Sequence, residues 1–262
     1  VVAAQMRDRP PEFNAAVERA NAQIEHYTRG MLSHLEQSVS AAGYRRGQSS
    51  ARFSQAFDLL SGGGAARAFD LSREQPEVRA RYGLHLAGQQ CLLARRLVER
   101  GVRFVQIFAG KGVGGDGSVN DVPWDCHSDV QPNHRSCGLH TDQPAAALLA
   151  DLEARGLLET TLVIWGGEFG RTSDSQGAKG RDHNPNGFTI WMAGAGVKGG
   201  FHYGATDEFG YKAVEKKIHV NDLHATLLHL LGLEHTKLTY RFNGRDFRLT
   251  DVGGELLSEI LV

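Results

Sequence analysis

The chain has 262 residues, 41% of them hydrophobic, which is enough to bury the core of a large domain and excludes a disordered or repeat protein. Its 29 Lys and Arg nearly balance its 30 Asp and Glu, and no basic stripe is interleaved with aromatics. Nucleic acid and anionic membrane are therefore disfavoured as partners, and a small or neutral one is expected. No apolar run reaches the roughly 18 to 20 residues that span a bilayer, so no transmembrane segment is expected, and no signal peptide is visible. The start at Val1 instead of Met reads as a fragment or a processed product.

In chain order, Phe13, Val17, Ala20, Ile24, Tyr27, Met31 and Leu35 recur at steps of three and four, an apolar stripe on a helix over 12–42. Such a stripe either packs on its own domain or offers an interface for a homo-oligomer. A shorter helix around Phe53, Phe57 and Leu60 ends at Gly62-Gly63-Gly64, a break that divides an N-terminal helical portion, 1–64, from an α/β domain, 65–262. A small helix then ends near Arg81, and a longer one from about His85 to Arg100 carries Cys91 as a packed thiol. Val102 to Ala109 reads as a strand, followed by a long loop, Gly110 to Gly138, rich in Gly, Asp and His.

A helix from Thr141 to Arg155 leads into Thr161-Leu-Val-Ile-Trp165, which reads as a short buried strand ended by Gly166-Gly167. Strand, helix and strand in this order predict a right-handed parallel crossover. Phe188 to Ala193 is read as another buried strand, and 199–217 as a surface loop. Asn221 or Asp222 caps a helix from Leu223 to Leu231. Asn243-Gly244 marks a two-residue hairpin, and a final short helix runs from Glu255 to Leu261. The expected class is α/β, a mainly parallel sheet flanked by helices.

Chemistry gathers in two loops. Asp125 and His127 are two residues apart, so an extended loop points both side chains the same way. Glu168 and Arg171 leave the end of the Thr161 strand, and the Gly-rich stretch 173–180 lets Asp182 and His183 close over the same spot. Asp125, His127, Glu168 and His183 make a ligand set suited to a divalent metal, zinc, manganese or iron in preference to calcium or magnesium, with Asp182 a further candidate. Arg171 is suited to clamping a phosphate or sulfate oxygen through its planar fork. A rival set, Cys126, His127, His134, Cys137 and His140, has donors for a structural zinc. A Cys126 to Cys137 disulfide is the other use of those thiols in an exported protein.

The stretches Thr160-Thr-Leu-Val-Ile-Trp-Gly-Gly-Glu-Phe-Gly-Arg-Thr172, Gly180-Arg-Asp-His-Asn-Pro185, Ala193-Gly-Ala-Gly-Val-Lys-Gly-Gly200, Tyr203-Gly-Ala-Thr-Asp-Glu208 and Asp222-Leu-His-Ala-Thr-Leu-Leu-His-Leu-Leu-Gly232 resemble the bacterial sulfatase-like family known as domain of unknown function fifteen-oh-one, from about Phe69 onward. The resemblance implies the alkaline phosphatase and sulfatase superfamily, an alkaline-phosphatase-like fold, and hydrolysis of phosphate or sulfate esters at one or two metal ions. By position it implies that Asp125 and His127 hold the first metal and that His183 is the last metal-binding histidine. Glu168-Phe169 departs from the superfamily's Asp-His by keeping the carboxylate and losing the imidazole. Nothing in 1–101 resembles the superfamily's nucleophile or its first metal-binding Asp. The resemblance also implies an exported or periplasmic full-length protein.

The leading expectation is thus a metal-dependent hydrolase of a small-molecule or glycan anionic ester, in a form lacking its nucleophile, with zinc or manganese bound. The alternatives are a non-catalytic metal-, anion- or glycan-binding domain of the same fold, and an assembly protein that uses the N-terminal helix.

Overall fold

The computed structural model describes residues 67–108, 111–112, 122–174, 177 and 179–262. The expected helix over 12–42, the shorter helix near Phe53, the triple glycine and the N-terminal portion 1–64 lie outside them. The chain separates into two compact units. One runs up to Asp125 and includes Gln131–Asp151; the other is Cys126–Val130 with Leu152–Val262.

The described part of the first unit is mainly helical. Asp70 accepts from the Ser72 amide at 3.2 Å and opens a single turn, Leu71–Arg73. Pro76, with no amide hydrogen to lose, starts α1 (Pro76–Tyr82), which stops at Gly83, φ 94°. His85 caps α2 (Leu86–Val98) by accepting from the Gly88 amide at Nδ1, 3.4 Å away. Gly88 lets the two helices meet, because a Cβ there would lie 2.2 and 2.3 Å from the carbonyl oxygens of Gly83 and Tyr82. The last carbonyls of α1 have no partner within the helix, and two glutamines supply one. Gln89 donates to Arg79 and Gly83 at 3.1 and 2.8 Å, and Gln143 to Ala80 and Arg81 at 3.2 and 3.0 Å.

Leu71, Tyr82, Leu92 and Ala147 form the core of this unit, with Val78, Cys91, Leu93 and Leu148 packed against them. A charged cluster is buried beside it. Arg95, 2% exposed, sits 2.7 Å from Glu99, 2.8 Å from Glu74 and 3.0 Å from Asp151, which also accepts from the Tyr82 hydroxyl at 2.8 Å. Burial raises the Glu74 carboxyl, but hydrogen bonds from Arg95 and Arg96 outweigh it and hold Glu74 below its ordinary range.

α3 (Val130–Ala154) begins well before the expected Thr141. The expected loop runs as far as Gly138, yet the helix continues through that glycine and on through Pro144. Thr141 and His140 bond back to the carbonyls of Cys137 and Ser136, at 3.1 and 2.7 Å, around the stretch where Pro144 supplies no donor.

The second unit holds short ladders. β3 (Leu162–Trp165) pairs antiparallel with β6 (Trp191–Gly194), Leu162 opposite Gly194 and Trp165 opposite Trp191, whose rings stack 6.4 Å apart. β4 (Gly170–Arg171) pairs with β5 (His183–Asn184), and β7 (Ala205–Thr206) with β8 (Ala213–Glu215). α4 (Val220–Leu230) has His219 and Asp222 as a reciprocal cap, with Asp222 three positions inside the helix. β9 (Thr239–Phe242) and β10 (Arg245–Arg248) form the hairpin foreseen at Asn243-Gly244, whose φ values of 47° and 80° are those of a type I′ turn. The chain closes on a single 3₁₀ turn, Ser258–Ile260, in place of the expected final helix.

The expected mainly parallel, alkaline-phosphatase-like sheet is overturned. Among the described residues every ladder, including β1 (Lys111–Gly112) with β2 (Val122–Pro123), is two-stranded and antiparallel. The fold is α/β only in the sense of helices with small antiparallel hairpins. Two findings explain the correction. Val102–Phe108 is not a strand, and Phe104 and Phe108 are each 77% exposed, so the crossover lacks its first member. Between Trp165 and Trp191 the described chain forms no helix that could carry it back for parallel pairing; it doubles back through β4 and β5 instead. β3 is also less covered than expected, with Ile164 and Trp165 exposed.

Candidate metal centre

Residues 126–130 and 179–181 run against one another. The Val130 amide donates to the Lys179 carbonyl at 3.1 Å, and the Arg181 amide to the Cys126 carbonyl at 3.3 Å. These two bonds bracket His127, and the second segment leads directly into His183 on β5. The outcome is a facing pair of imidazoles, with Nε2 of His127 and Nε2 of His183 3.2 Å apart and ring centroids at 4.9 Å.

Asp125, two residues before His127 on the same loop, completes a group of three. One ligand atom from each of Asp125, His127 and His183 lies within 4.8 Å of the others, and all three residues are exposed. Two zinc–nitrogen bonds of about 2.05 Å place their nitrogens about 2.9 Å apart at a right angle and about 3.3 Å apart at the tetrahedral angle. The observed 3.2 Å falls between them. The two imidazoles therefore stand at a spacing that one divalent ion could bridge, with the Asp125 carboxylate beside them.

His183 is held from several sides. Its backbone amide donates to Asp182 Oδ1 at 2.8 Å, the Asp182 amide donates to the Thr172 hydroxyl and the Thr172 amide to the Asp182 carbonyl, both at 3.0 Å. Asn184, 3% exposed, donates to the carbonyls of Gly210 and Tyr211, both at 3.1 Å, and accepts from the Asn186 amide. The Phe169 ring lies on the face of the His183 ring, centroids 4.0 Å apart and planes 26° from parallel.

Of the residues singled out from sequence, the structure brings Asp125, His127 and His183 together. Glu168 is exposed and lies outside that group, as does Asp182, whose carboxylate serves the β5 backbone. Arg171, opposite His183 across β4 and β5, is half-buried, with its guanidinium 5.7 Å from the centre of the Phe169 ring and Nη1 3.5 Å from the Arg181 carbonyl. The rival thiol and imidazole set does not form a group of its own among the described residues. His134 and His140 instead direct ring nitrogens at the carbonyls of Trp124 and Ser136, 2.9 and 2.7 Å away. Cys126 and Cys137 are buried and not joined in a disulfide. Sequence reasoning missed the roles of Phe169 and Asn184. Their signal was adjacency to Glu168 and His183, which says nothing about a ring stack or a buried amide until the hairpin is seen.

Fold and site together define a mixed α/β protein of short hairpins with, among the described residues, an exposed cluster of two imidazoles and a carboxylate that could hold a metal ion. The chain belongs to the family described as "Protein of unknown function (DUF1501)", whose model matches residues 5–261. No curated protein and no solved structure gives a match. No helix among the described residues is long and apolar enough to cross a membrane.

Proposed function

We propose that the protein is a metal-dependent hydrolase of phosphate or sulfate esters, with Asp125, His127 and His183 holding one zinc or manganese ion and Arg171 contacting the anion. The observation that carries this reading is the convergence of the His127 and His183 Nε2 atoms at 3.2 Å beside the Asp125 carboxylate. An ion bound there supplies Lewis acidity toward an ester oxygen and lowers the pKa of water. The residues do the rest. Exposure of all three ligands leaves room for solvent and substrate, and the Phe169 stack holds the His183 ring at a fixed angle to its partner. Arg171, on the strand next to His183, offers a cation to the non-bridging oxygens of the ester.

The test is isothermal titration of the full chain with Zn²⁺ and Mn²⁺, beside release of chromophore from aryl phosphate and aryl sulfate monoesters. His127→Ala and His183→Ala are each expected to weaken binding at least about tenfold. Arg171→Ala should keep metal affinity and raise KM, because it removes an anion contact and not a ligand. Equal metal affinity in wild type and both histidine variants would remove the site. Tight metal binding without turnover of either ester would defeat the hydrolase reading and leave a metal-binding domain.

A further inference from the structure

We propose that Gly180 is the positioning residue of this centre: its missing side chain is what allows His127 to stand within ligating distance of His183. The inference rests on the metal-centre reading above. The two imidazoles are 56 positions apart in sequence, so their separation is set by whatever holds segments 126–130 and 179–183 together. That seam consists of the Val130 to Lys179 and Arg181 to Cys126 hydrogen bonds, and Gly180 is the buried residue between them.

A Cβ on Gly180 would lie 1.9 Å from the His127 carbonyl oxygen, 2.2 Å from its carbon and 2.7 Å from the Ser128 nitrogen. These are backbone atoms, which cannot rotate away as a side chain can. Ordinary contact begins near 3.4 Å, so any larger residue forces the two backbones apart by more than an ångström. Gly180 does not adopt a left-handed conformation; the requirement is for space alone.

The displacement would open the distance between the two imidazoles, because the seam ties the backbone on both sides of His127 to 179–181, which runs directly into His183. Ligand bonds near 2 Å tolerate only a few tenths of an ångström, so opening the seam takes one imidazole out of reach of an ion held by the other.

The experiment is Zn²⁺ titration of the full chain in wild type, Gly180→Ala, His127→Ala and the double variant, with circular dichroism as the check on folding. Gly180→Ala is expected to weaken Zn²⁺ binding about 10- to 100-fold and to add no further loss in the His127→Ala background, since a residue that acts through His127 has nothing left to act on. Unchanged affinity in Gly180→Ala, or losses that simply add, would overturn the proposal. Should Gly180→Ala fail to fold, hydrogen exchange of the wild-type chain decides it. An ion that depends on the seam must in turn stabilise the seam, so Zn²⁺ should slow exchange of the Val130 and Arg181 amides, and no change in either would overturn the inference. Absence of Zn²⁺ binding by wild type would defeat the metal-centre reading itself, a result distinct from binding that is insensitive to Gly180.

Discussion

Arg95 and His127 mark two extremes of what a single residue can reveal. Asp125 and His127 are legible as a pair, because side chains two apart in an extended loop share a direction and the structure keeps them in one group. His183 is legible as a third member, through the Gly-rich stretch 173–180 that lets it close over the same spot, although the backbone hydrogen bonds that fix the return are not. Arg95 shows nothing in sequence at all: on an amphipathic helix it reads as a solvated charge, yet it is 2% exposed among Glu74, Glu99 and Asp151. Arg95→Ala would take the buried guanidinium away from Asp151 and leave Glu74 with Arg96 alone. The expected loss is about 3 to 5 kcal/mol, measured by urea unfolding, and a loss below about 1 kcal/mol would show that the cluster is wet. Burial pushes the Cys91 thiol on the same helix up to about 12, in keeping with a packed residue.

Helices and the tight hairpin are legible where their signals are local. α2 and α4 fall within a few residues of their expected bounds, because caps and apolar spacing act over one or two turns. Sheet direction is not local. The runs Leu162–Trp165 and Trp191–Gly194 are equally compatible with parallel and antiparallel partners, and the choice is made by a 25-residue connection with its own small hairpin. The capping of α2 also has a pH dependence. Burial, and then the nearby His140 ring, lower the His85 pKa from the ordinary 6.5, and the neutral ring is the form that accepts from Gly88. The unfolded chain therefore takes up the proton first as pH falls. This contribution is fully present above the unfolded value of 6.5 and is lost as pH drops through the lower folded value. His85→Asn, which keeps an acceptor but does not titrate, should show a smaller fall in Tm between about pH 7.5 and about pH 5 than wild type does. Identical falls would place the pH sensitivity elsewhere.

For the molecule as a whole, a ligand bound only by the folded state stabilises it by mass action. Zn²⁺ at about 100 times its Kd adds about 2.7 kcal/mol, a rise in Tm of roughly 5 to 10 °C for a chain of this size. His183→Ala should show no such rise in differential scanning calorimetry. A rise that survives the substitution would point to ions held by other residues. The proposed activity stays the least legible level, since a hydrolase and a metal-binding domain can share every ligand named here and differ only in turnover.

One tie in the second unit reaches beyond its immediate surroundings. Asp222 caps α4 through Oδ2 and accepts from the Glu255 amide through Oδ1 at 2.8 Å, while Thr226, fully buried, accepts from the Leu257 amide at 3.0 Å. The start of α4 thus shares its carboxylate with a stretch of irregular chain 33 residues downstream. Without that downstream stretch the Thr226 hydroxyl still donates to the Asp222 carbonyl at 2.8 Å, but it loses the donor it accepts from, and half of the Asp222 carboxylate is left unmatched. A released chain that ends between Gly232 and Gly254 should accordingly expose this segment to proteases that the longer chain excludes.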